Sequence, residues 1–362
     1  MKFYSLDRIK KENAVYNVIY GERSNGKSYA VLNEILMRYC QLGEEGAIIR
    51  RWHEDFRGKR GQSVFSPLVN NDLVVKYTHG KWTGVYYYSG RWFLCREDKD
   101  GHIVKEDNPF CYAFALTDSE HDKSTSYPNV TTVLFDEFLS RSGYLPDEFV
   151  LFMNTLSTII RYRDNVTIYM LGNTVNRYCP YFDEMGLTHI RNQNKGVIET
   201  YEYGDSGLKV AVEYADSPVK RKPSDKYFAF NNSKLSMITG GAWEIALYPH
   251  CPIKYKPKDV KFIFFIKFEE DLLQCEVVMN KKYNFLFIHK KTTELKDPKK
   301  DLIFDTEYSP LSNYGRKLTN PVNQIQSRIA WYFNADKVFY QDNMTGEIVR
   351  NYIMWSKSEH IT

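Results

Sequence analysis

The stretch Val15–Ala30, VYNVIYGERSNGKSYA, decides the fold of this chain. Its first residues, Val15–Tyr20, are mostly apolar and β-branched, which predicts a strand. After Ser28 the apolar residues recur at helical spacing and predict a helix. Between the two, residues 21–28 fit the pattern G-x-x-x-x-G-K-[ST] at every fixed position. The stretch therefore predicts a strand, a phosphate-binding loop and a helix, in that order.

The fixed residues of this loop each have a predicted task in binding a nucleotide. Gly21 and Gly26 allow the backbone N–H groups to face an anion without a Cβ in the way. The helix that starts near Lys27 adds the positive end of its dipole. Lys27 is expected to reach the β- and γ-phosphates, and the Ser28 hydroxyl to bind Mg²⁺. The loop predicts an ATP site.

A second motif, Thr131–Glu137, is an apolar strand that ends in two carboxylates. P-loop ATPases place an Asp at the end of a buried strand to hold Mg²⁺, and Asp136 suits that task. Many of them place a Glu directly after it to activate the attacking water, and Glu137 suits that one. The alternative is a hydrophobic strand that happens to finish in Asp-Glu.

Several arginines and one amide have two interpretations each. Arg50 and Arg51 end a predicted strand. They are either solvated residues, or they face a phosphate or a neighbouring subunit. The segment 146–163 predicts a helix with Arg161 and Arg163 in its last turn, where they either suit the helix dipole or supply an arginine finger. Asn173 ends the next predicted strand. It is either an ordinary strand-ending residue or a sensor of the γ-phosphate.

Length and composition limit the architecture. With 362 residues and 43% hydrophobic content, two domains with well-filled cores are the default. The net charge of +4 neither requires nor excludes nucleic acid. The six cysteines show no C-x-x-C pairing, which argues against a zinc site. No apolar segment is long enough to span a bilayer, and the N-terminus lacks a signal peptide, so we expect the protein in the cytosol.

The pattern along the chain suggests where the domains divide. An α/β P-loop ATPase domain, with a mainly parallel sheet flanked by helices, is predicted for residues 1–205. Period-two alternation over 73–104 predicts an antiparallel meander at the edge of its sheet. A basic, proline-flanked stretch predicts a linker over 206–236. Three closely spaced strands and a helix candidate then predict a smaller α+β domain over 237–362.

Together these residues resemble the DNA-packaging ATPases of phi29-like tailed bacteriophages. The resemblance is sharpest in three segments: Gly21–Ser28 with Arg23 inside it, the block Tyr127–Phe138, and Ile160–Arg163. It implies a P-loop ATPase of the ASCE class with a C-terminal domain like a degenerate ribonuclease H nuclease. The first strand expected of that nuclease, Lys261–Phe268, carries no Asp or Glu, and its acids, Glu269, Glu270 and Asp271, lie in the following turn.

The resemblance also implies partners and roles. It implies a ring of five subunits at the portal vertex of a procapsid in the host cytoplasm, moving double-stranded DNA inward with ATP and Mg²⁺. A structural packaging RNA is an optional further partner. Arg161 is favoured as the finger acting on the neighbouring subunit, with Arg163 second, and Arg23 is expected to contact the γ-phosphate.

Two other functions stay open from the sequence alone. One is a complete terminase large subunit with an active nuclease, and the other is a nucleotide-gated DNA-binding scaffold with slow turnover. DNA contacts to phosphates are expected from scattered basic side chains. The candidates are Lys81, Lys123, Lys220, Arg221 and Lys222.

Overall fold

The structure is a computed structural model, and it divides the chain into two compact units, 1–244 and 245–362. It describes residues 4–23, 25–118, 125–140, 144–145, 147–173, 179–216, 248–251, 253–268 and 271–357. Within these residues no helix is both long and apolar enough to cross a membrane.

The first unit is built on one large sheet. Its strands in chain order are β1 (Tyr16–Gly21), β2 (Glu45–Arg50), β3 (Gly84–Tyr88), β4 (Arg91–Glu97), β5 (Ile103–Lys105), β6 (Cys111–Ala115), β7 (Val130–Asp136), β8 (Thr167–Asn173), β9 (Ile198–Tyr203) and β10 (Leu208–Ala215). The spatial order is β3-β4-β6-β2-β7-β8-β1-β10-β9, with β5 paired to β4. The run from β6 to β10 is parallel throughout. This confirms the predicted mainly parallel sheet.

The helices in the described part of this unit vary greatly in length. They are α1 (Asp7–Lys10), α2 (Lys27–Leu42), α3 (Lys59–Ser63), α4 (Ser66–Val69), α5 (Leu73–Tyr77), α6 (Glu148–Ile160) and α7 (Pro180–Glu184). Short 3-10 helices lie at His53–Phe56, Leu116–Asp118, Thr188–Asn192 and Gly204–Ser206. Apolar side chains form a core on each face of the sheet, one of which includes α6 and the other α2. The two long helices thus pack on opposite faces, because each presents an apolar stripe that must be buried.

The edge of the sheet differs in part from the sequence prediction. The meander is confirmed for β3, β4 and β5, which pair antiparallel, and β4 joins them to the sheet through β6. Leu73–Tyr77, however, is a helix and not the first strand of the meander. A short apolar run such as LVVKY does not distinguish a buried strand from a buried helix by its periodicity.

The predicted boundary at residue 205 is wrong. Leu208–Ala215 forms β10, which pairs in parallel with β1 and lies in the interior of the sheet. The linker predicted for 206–236 therefore begins too early, because its first residues are a core strand. The remainder of that segment, with Lys220, Arg221 and Lys222, lies outside the described residues.

In its described residues the second unit is a mixed sheet with two helices. Its elements are a 3-10 helix at Pro257–Asp259, β11 (Val260–Phe268), β12 (Asp271–Met279), β13 (Asn284–Lys290), β14 (Ile303–Asp305), β15 (Tyr314–Gly315), α8 (Gln324–Asn334), β16 (Val338–Tyr340) and α9 (Asn343–Lys357). The strand order is β15-β14-β11-β12-β13-β16. The β11-β12-β13 meander is antiparallel, as predicted, and β14 joins β11 in parallel. The helix expected within 321–333 is α8.

The contact between α2 and β2 gives a test of this packing. A Cβ added at Gly46, in β2, would lie 2.4 Å from Ile35 Cγ2, a branched methyl carbon of the buried face of α2. We expect Gly46→Ala to lower the free energy of unfolding by about 1–3 kcal/mol, because the helix must shift away from the sheet. Denaturant unfolding of the full chain measures it.

Gly84→Ala is the matched control, because a Cβ there would lie 3.4 Å from Cys95 Sγ, an ordinary contact. Equal stability of the two variants would contradict the close approach of α2 to β2.

Candidate functional site

The phosphate-binding loop connects β1 to α2. Gly21 ends β1, and a Cβ there would lie 2.7 Å from the carbonyl oxygen of Ala215, so only glycine fits between β1 and β10. Gly26 precedes α2 with a left-handed backbone, φ +97°, which glycine adopts without a steric penalty. Since Gly26 has no side chain to cap the helix, the first N–H groups of α2 are left for an anion.

Lys27 is buried beneath this loop. Its Nζ donates to the carbonyl oxygen of Glu22 at 2.6 Å and to Asn25 Oδ1 at 3.2 Å. Only 5% of the residue is exposed. Burial lowers the pKa of the ammonium group to about 8, against the opposing influence of the Asp136 and Glu22 carboxylates. A buried cation in this position is suited to receive a phosphate.

Asp136 lies between a hydroxyl and a guanidinium. Ser28 Oγ donates to Asp136 Oδ1 at 3.0 Å, and Arg50 Nη2 donates to Oδ2 at 2.9 Å. The two motifs predicted to form the metal site are therefore adjacent in space. Arg50, expected from the sequence either as a solvated residue or facing a phosphate or a neighbouring subunit, instead lies inward, on the predicted metal ligand. Its partner follows from the pairing of β2 with β7.

Glu137 follows β7 and is solvent-exposed. Its backbone is left-handed, with φ +61°, a region that non-glycine residues occupy only where the surrounding structure enforces it. Arg51 Nη1 donates to the Glu137 carbonyl oxygen at 3.3 Å, and Nη2 donates to that of Phe138 at 2.9 Å. The Phe138 N–H donates to the Leu171 carbonyl oxygen at 3.1 Å. The turn that carries Glu137 is thus held by β2 and β8.

The two candidate fingers have different surroundings. Helix α6 ends at Ile160, so neither arginine lies in its last turn as predicted. Arg163 donates to four backbone carbonyl oxygens, of Val130 (2.6 Å), Tyr127 (3.1 Å), Ile159 (2.9 Å) and Ile160 (3.1 Å). Burial of this guanidinium lowers its pKa. Arg161 is exposed, with a left-handed φ of +41°. Arg163 is occupied within its own fold.

Arg161 is also far from the loop of its own chain. Arg163 is bound at Val130, the first residue of β7, whereas Asp136 is the last. The seven residues of β7 span about 20 Å at the ordinary strand rise. Arg161 therefore lies near the edge of the sheet opposite to the predicted ATP site.

The other predicted site residues are less closely defined. Asn173 ends β8 and pairs in register with Gly21, which places it beside the loop, while its sensor role stays a prediction. Arg23 is exposed in the loop. Lys81 is exposed, 3.9 Å from Glu106 and stacked on Trp82. Lys123 lies outside the described residues, as do Lys220, Arg221 and Lys222.

Ammonium groups compensate two carboxylates of the second unit. Lys267, in β11, is in register with Asp305 of β14, and its Nζ lies 3.3 Å from both Asp305 and Glu307. Asp271 begins β12 and accepts a hydrogen bond from Lys290 at 2.8 Å. Glu269 and Glu270 lie outside the described residues. The one cluster of three His, Cys, Asp or Glu side chains close enough to share a metal ion among the described residues, Asp98 with Asp100 and His102, is exposed in the turn between β4 and β5.

The fold and the residues at this edge of the sheet define a P-loop NTPase of the ASCE class. The chain belongs to the podovirus DNA encapsidation protein (Gp16) family, whose model matches residues 1–335. This confirms the resemblance to phi29-like packaging proteins.

Individual relatives agree with this assignment. The chain is 30% identical over 178 residues to the DNA packaging protein of Bacillus phage B103, and 29% identical over 225 residues to that of Bacillus phage phi29. These matches cover 48% and 61% of this chain and span about half of the relatives' own lengths, 48% and 59%. The Phi-28 gp11 DNA packaging motor has the same fold, with a TM-score of 0.55 at 18% identity over 99% of both chains.

The lowered pKa of Lys27 predicts a pH dependence of ATP binding. Phosphate charges favour the protonated ammonium, so ATP binding should raise this pKa and take up a proton where the ligand-free Lys27 is neutral. We expect the ATP affinity to fall by up to about tenfold per pH unit above pH 8. Calorimetric titration at pH 7 to 9.5, in buffers of different ionisation enthalpy, measures affinity and proton uptake together.

Lys27→Arg is the control, because its guanidinium stays charged over this range. The prediction fails if the wild-type affinity changes with pH no more than that of Lys27→Arg.

Proposed function

We propose that this chain is an ATP-hydrolysing motor subunit that moves double-stranded viral DNA into a procapsid. Its membership of the DNA encapsidation family and the convergence of two ATPase motifs at one edge of the sheet support the proposal. The Ser28 hydroxyl lies 3.0 Å from the Asp136 carboxylate, and Lys27 lies buried beneath the same loop. No other arrangement among the described residues combines a phosphate-binding loop with carboxylates.

The residues at the site divide the work of phosphoryl transfer. Lys27 and the N–H groups at the start of α2 bind the phosphates of ATP. Ser28 and Asp136 are hard oxygen donors, as Mg²⁺ prefers, and would hold the ion that neutralises the phosphate charge. Glu137, exposed at the end of β7, orients water and accepts its proton. Arg23 contacts the γ-phosphate, and Asn173 senses its loss.

Arg161 acts on the ATP site of a neighbouring subunit. The observation that carries this proposal is the position of Arg161 directly after α6, at the end that Arg163 holds to the start of β7. Asp136 is at the other end of that strand, about 20 Å away at the ordinary strand rise. Arg163, the second candidate, is bound to four carbonyl oxygens of its own chain, and the family resemblance favours Arg161 as the finger. An arginine that stabilises the transition state from outside requires an assembly of copies.

The partners follow from this task. The subunits form a closed ring, with five members by family resemblance, at the portal vertex of the procapsid in the host cytoplasm. A structural packaging RNA is an optional part of that assembly. Because packaging must work on any sequence, DNA contacts are made to phosphates and weaken with salt. Lys81 is the described candidate, with Lys123, Lys220, Arg221 and Lys222 proposed from the sequence.

A shared site predicts recovery of activity in mixed rings. Glu137→Gln and Arg161→Ala subunits each lack one half of a site, and each should be inactive alone. In an equal mixture up to about one quarter of the sites join an intact Glu137 to an intact Arg161, so ATP hydrolysis should return to that level. Turnover with duplex DNA and Mg²⁺ measures it over a series of mixing ratios.

Arg96→Ala, which removes an exposed arginine of β4, should behave as wild type. If no mixing ratio restores activity, the shared-site proposal is wrong. If Arg161→Ala alone retains wild-type turnover, Arg161 is not the finger. DNA-stimulated hydrolysis by the wild type also excludes a slow nucleotide-gated scaffold.

A complete terminase would cut DNA, and we expect no metal-dependent cleavage by this chain. Two-metal hydrolysis needs carboxylates clustered around two cations, whereas Lys267 lies against Asp305 and Lys290 against Asp271. Incubation of plasmid DNA with Mg²⁺ or Mn²⁺ should leave it intact. Cleavage that disappears in Asp271→Asn or Glu269→Gln, with ATP hydrolysis unchanged, would establish the terminase alternative instead.

A further inference from the structure

The ion pair between Arg51 and Glu148 is not used by the ATPase motifs. Arg51 Nε and Nη2 donate to the two carboxylate oxygens of Glu148, both at 2.7 Å. The exposed fractions of the two side chains are 7% and 0%. A bidentate salt bridge of this kind fixes the relative orientation of the two side chains as well as the distance between them. The feature therefore holds its two elements, the end of β2 and the start of α6, in one mutual orientation.

The same guanidinium also holds the turn that carries Glu137. Arg51 donates to the carbonyl oxygens of Glu137 and Phe138. On the other side, the Glu148 carboxylate accepts from the Tyr181 hydroxyl at 2.8 Å and from the Leu145 N–H at 2.7 Å. The contacts join the backbone of the turn that carries Glu137 to the first residue of α6 through two buried side chains.

Helix α6 leads from this pair to the arginine of the proposed trans site. It has 13 residues, about 20 Å at the ordinary helical rise. Its first residue is Glu148, and Arg161 follows its last. Two hydrogen bonds of Arg163, to the carbonyl oxygens of Val130 and Tyr127, fasten that far end to the start of β7. Because α6 is one rigid element held at this far end, a displacement of Glu148 tilts the helix and reorients Arg161.

We infer that the Arg51–Glu148 pair couples the two halves that each subunit contributes, Glu137 to its own ATP site and Arg161 to the next. The inference rests on the proposed shared site. The left-handed backbone of Glu137 marks the turn as strained, and strain of this kind clusters in switch regions, where the backbone moves between two arrangements. Such movement pulls on the Arg51 guanidinium, and through Glu148 it shifts the arginine offered to the neighbour. Arg51 and Glu148 are thus positioning residues for both sites.

Complementation in mixed rings distinguishes this coupling from a local effect. A subunit with Glu148→Gln should fail both in its own site and as donor of Arg161. Mixed with Arg161→Ala or with Glu137→Gln subunits, it should therefore recover no activity beyond that of either variant alone. If the pair supports only the Glu137 turn, Glu148→Gln subunits still donate Arg161. Their mixture with Arg161→Ala subunits then recovers as much ATP hydrolysis as the mixture of Glu137→Gln with Arg161→Ala subunits. That recovery would overturn the inference.

The controls separate coupling from misfolding and from failure of the shared site. Glu148→Gln should keep the wild-type ATP affinity, since Lys27 is untouched, and lose at least tenfold in turnover. Glu213→Gln removes another buried carboxylate of the sheet, which pairs with Arg8, and should complement normally. Should Glu148→Gln not fold, Tyr181→Phe keeps the ion pair, removes one hydrogen bond from Glu148, and should show the two-site loss more weakly. If Tyr181→Phe subunits restore Arg161→Ala subunits as fully as Glu137→Gln subunits do, the coupling is overturned. If Glu137→Gln and Arg161→Ala subunits themselves recover no activity when mixed, it is the shared site that is wrong.

Discussion

The register of three parallel strands is the constraint on which the predicted ATP site depends. β7, β8 and β1 lie side by side, with Asp136 opposite Leu171 and Gly21 opposite Asn173. Since parallel strands end at the same edge of a sheet, segments more than a hundred residues apart in the chain meet there. The hydrogen bond from Ser28 to Asp136 is a consequence of that register. A shift of one residue in β7 would turn the carboxylate to the other face.

Two arginines compensate the negative charges of carboxylates near this edge of the sheet. Arg50 lies on Asp136, and Arg51 lies on Glu148. The two adjacent residues serve different carboxylates because the strand ends between them and successive side chains diverge. Arg50 has a Nε atom that is buried without a hydrogen-bond partner among the described residues, so its contact with Asp136 is made at some cost in hydration. Arg51, in contrast, is bound at each of its three nitrogen atoms.

The sequence predicted those parts of the fold that depend on local patterns. The phosphate-binding loop, the strand before Asp136 and the C-terminal meander were all evident, because each carries its own periodicity and fixed residues. The partners of Arg50 and Arg51 could not be predicted, since they depend on the pairing of β2 with β7 and on the packing of α6. The difference between Arg161 and Arg163 was likewise hidden. Both follow one helix, and the approach of the β7 start, which gives Arg163 two of its carbonyl partners, is not visible in the sequence. The residues of β10 are adjacent in sequence to the basic, proline-flanked stretch 218–223, whose linker-like composition hides the end of the strand.

The lysine in the middle of the second sheet has a consequence for how that unit is maintained. Lys267 brings its positive charge to Asp305 as part of the chain, in the register that β11 and β14 impose. A charge built into the polypeptide is always present at the ratio of one per molecule, whatever the ionic composition of the surroundings. The Asp305 carboxylate therefore has a partner that no change in the composition of the solution can remove from the chain.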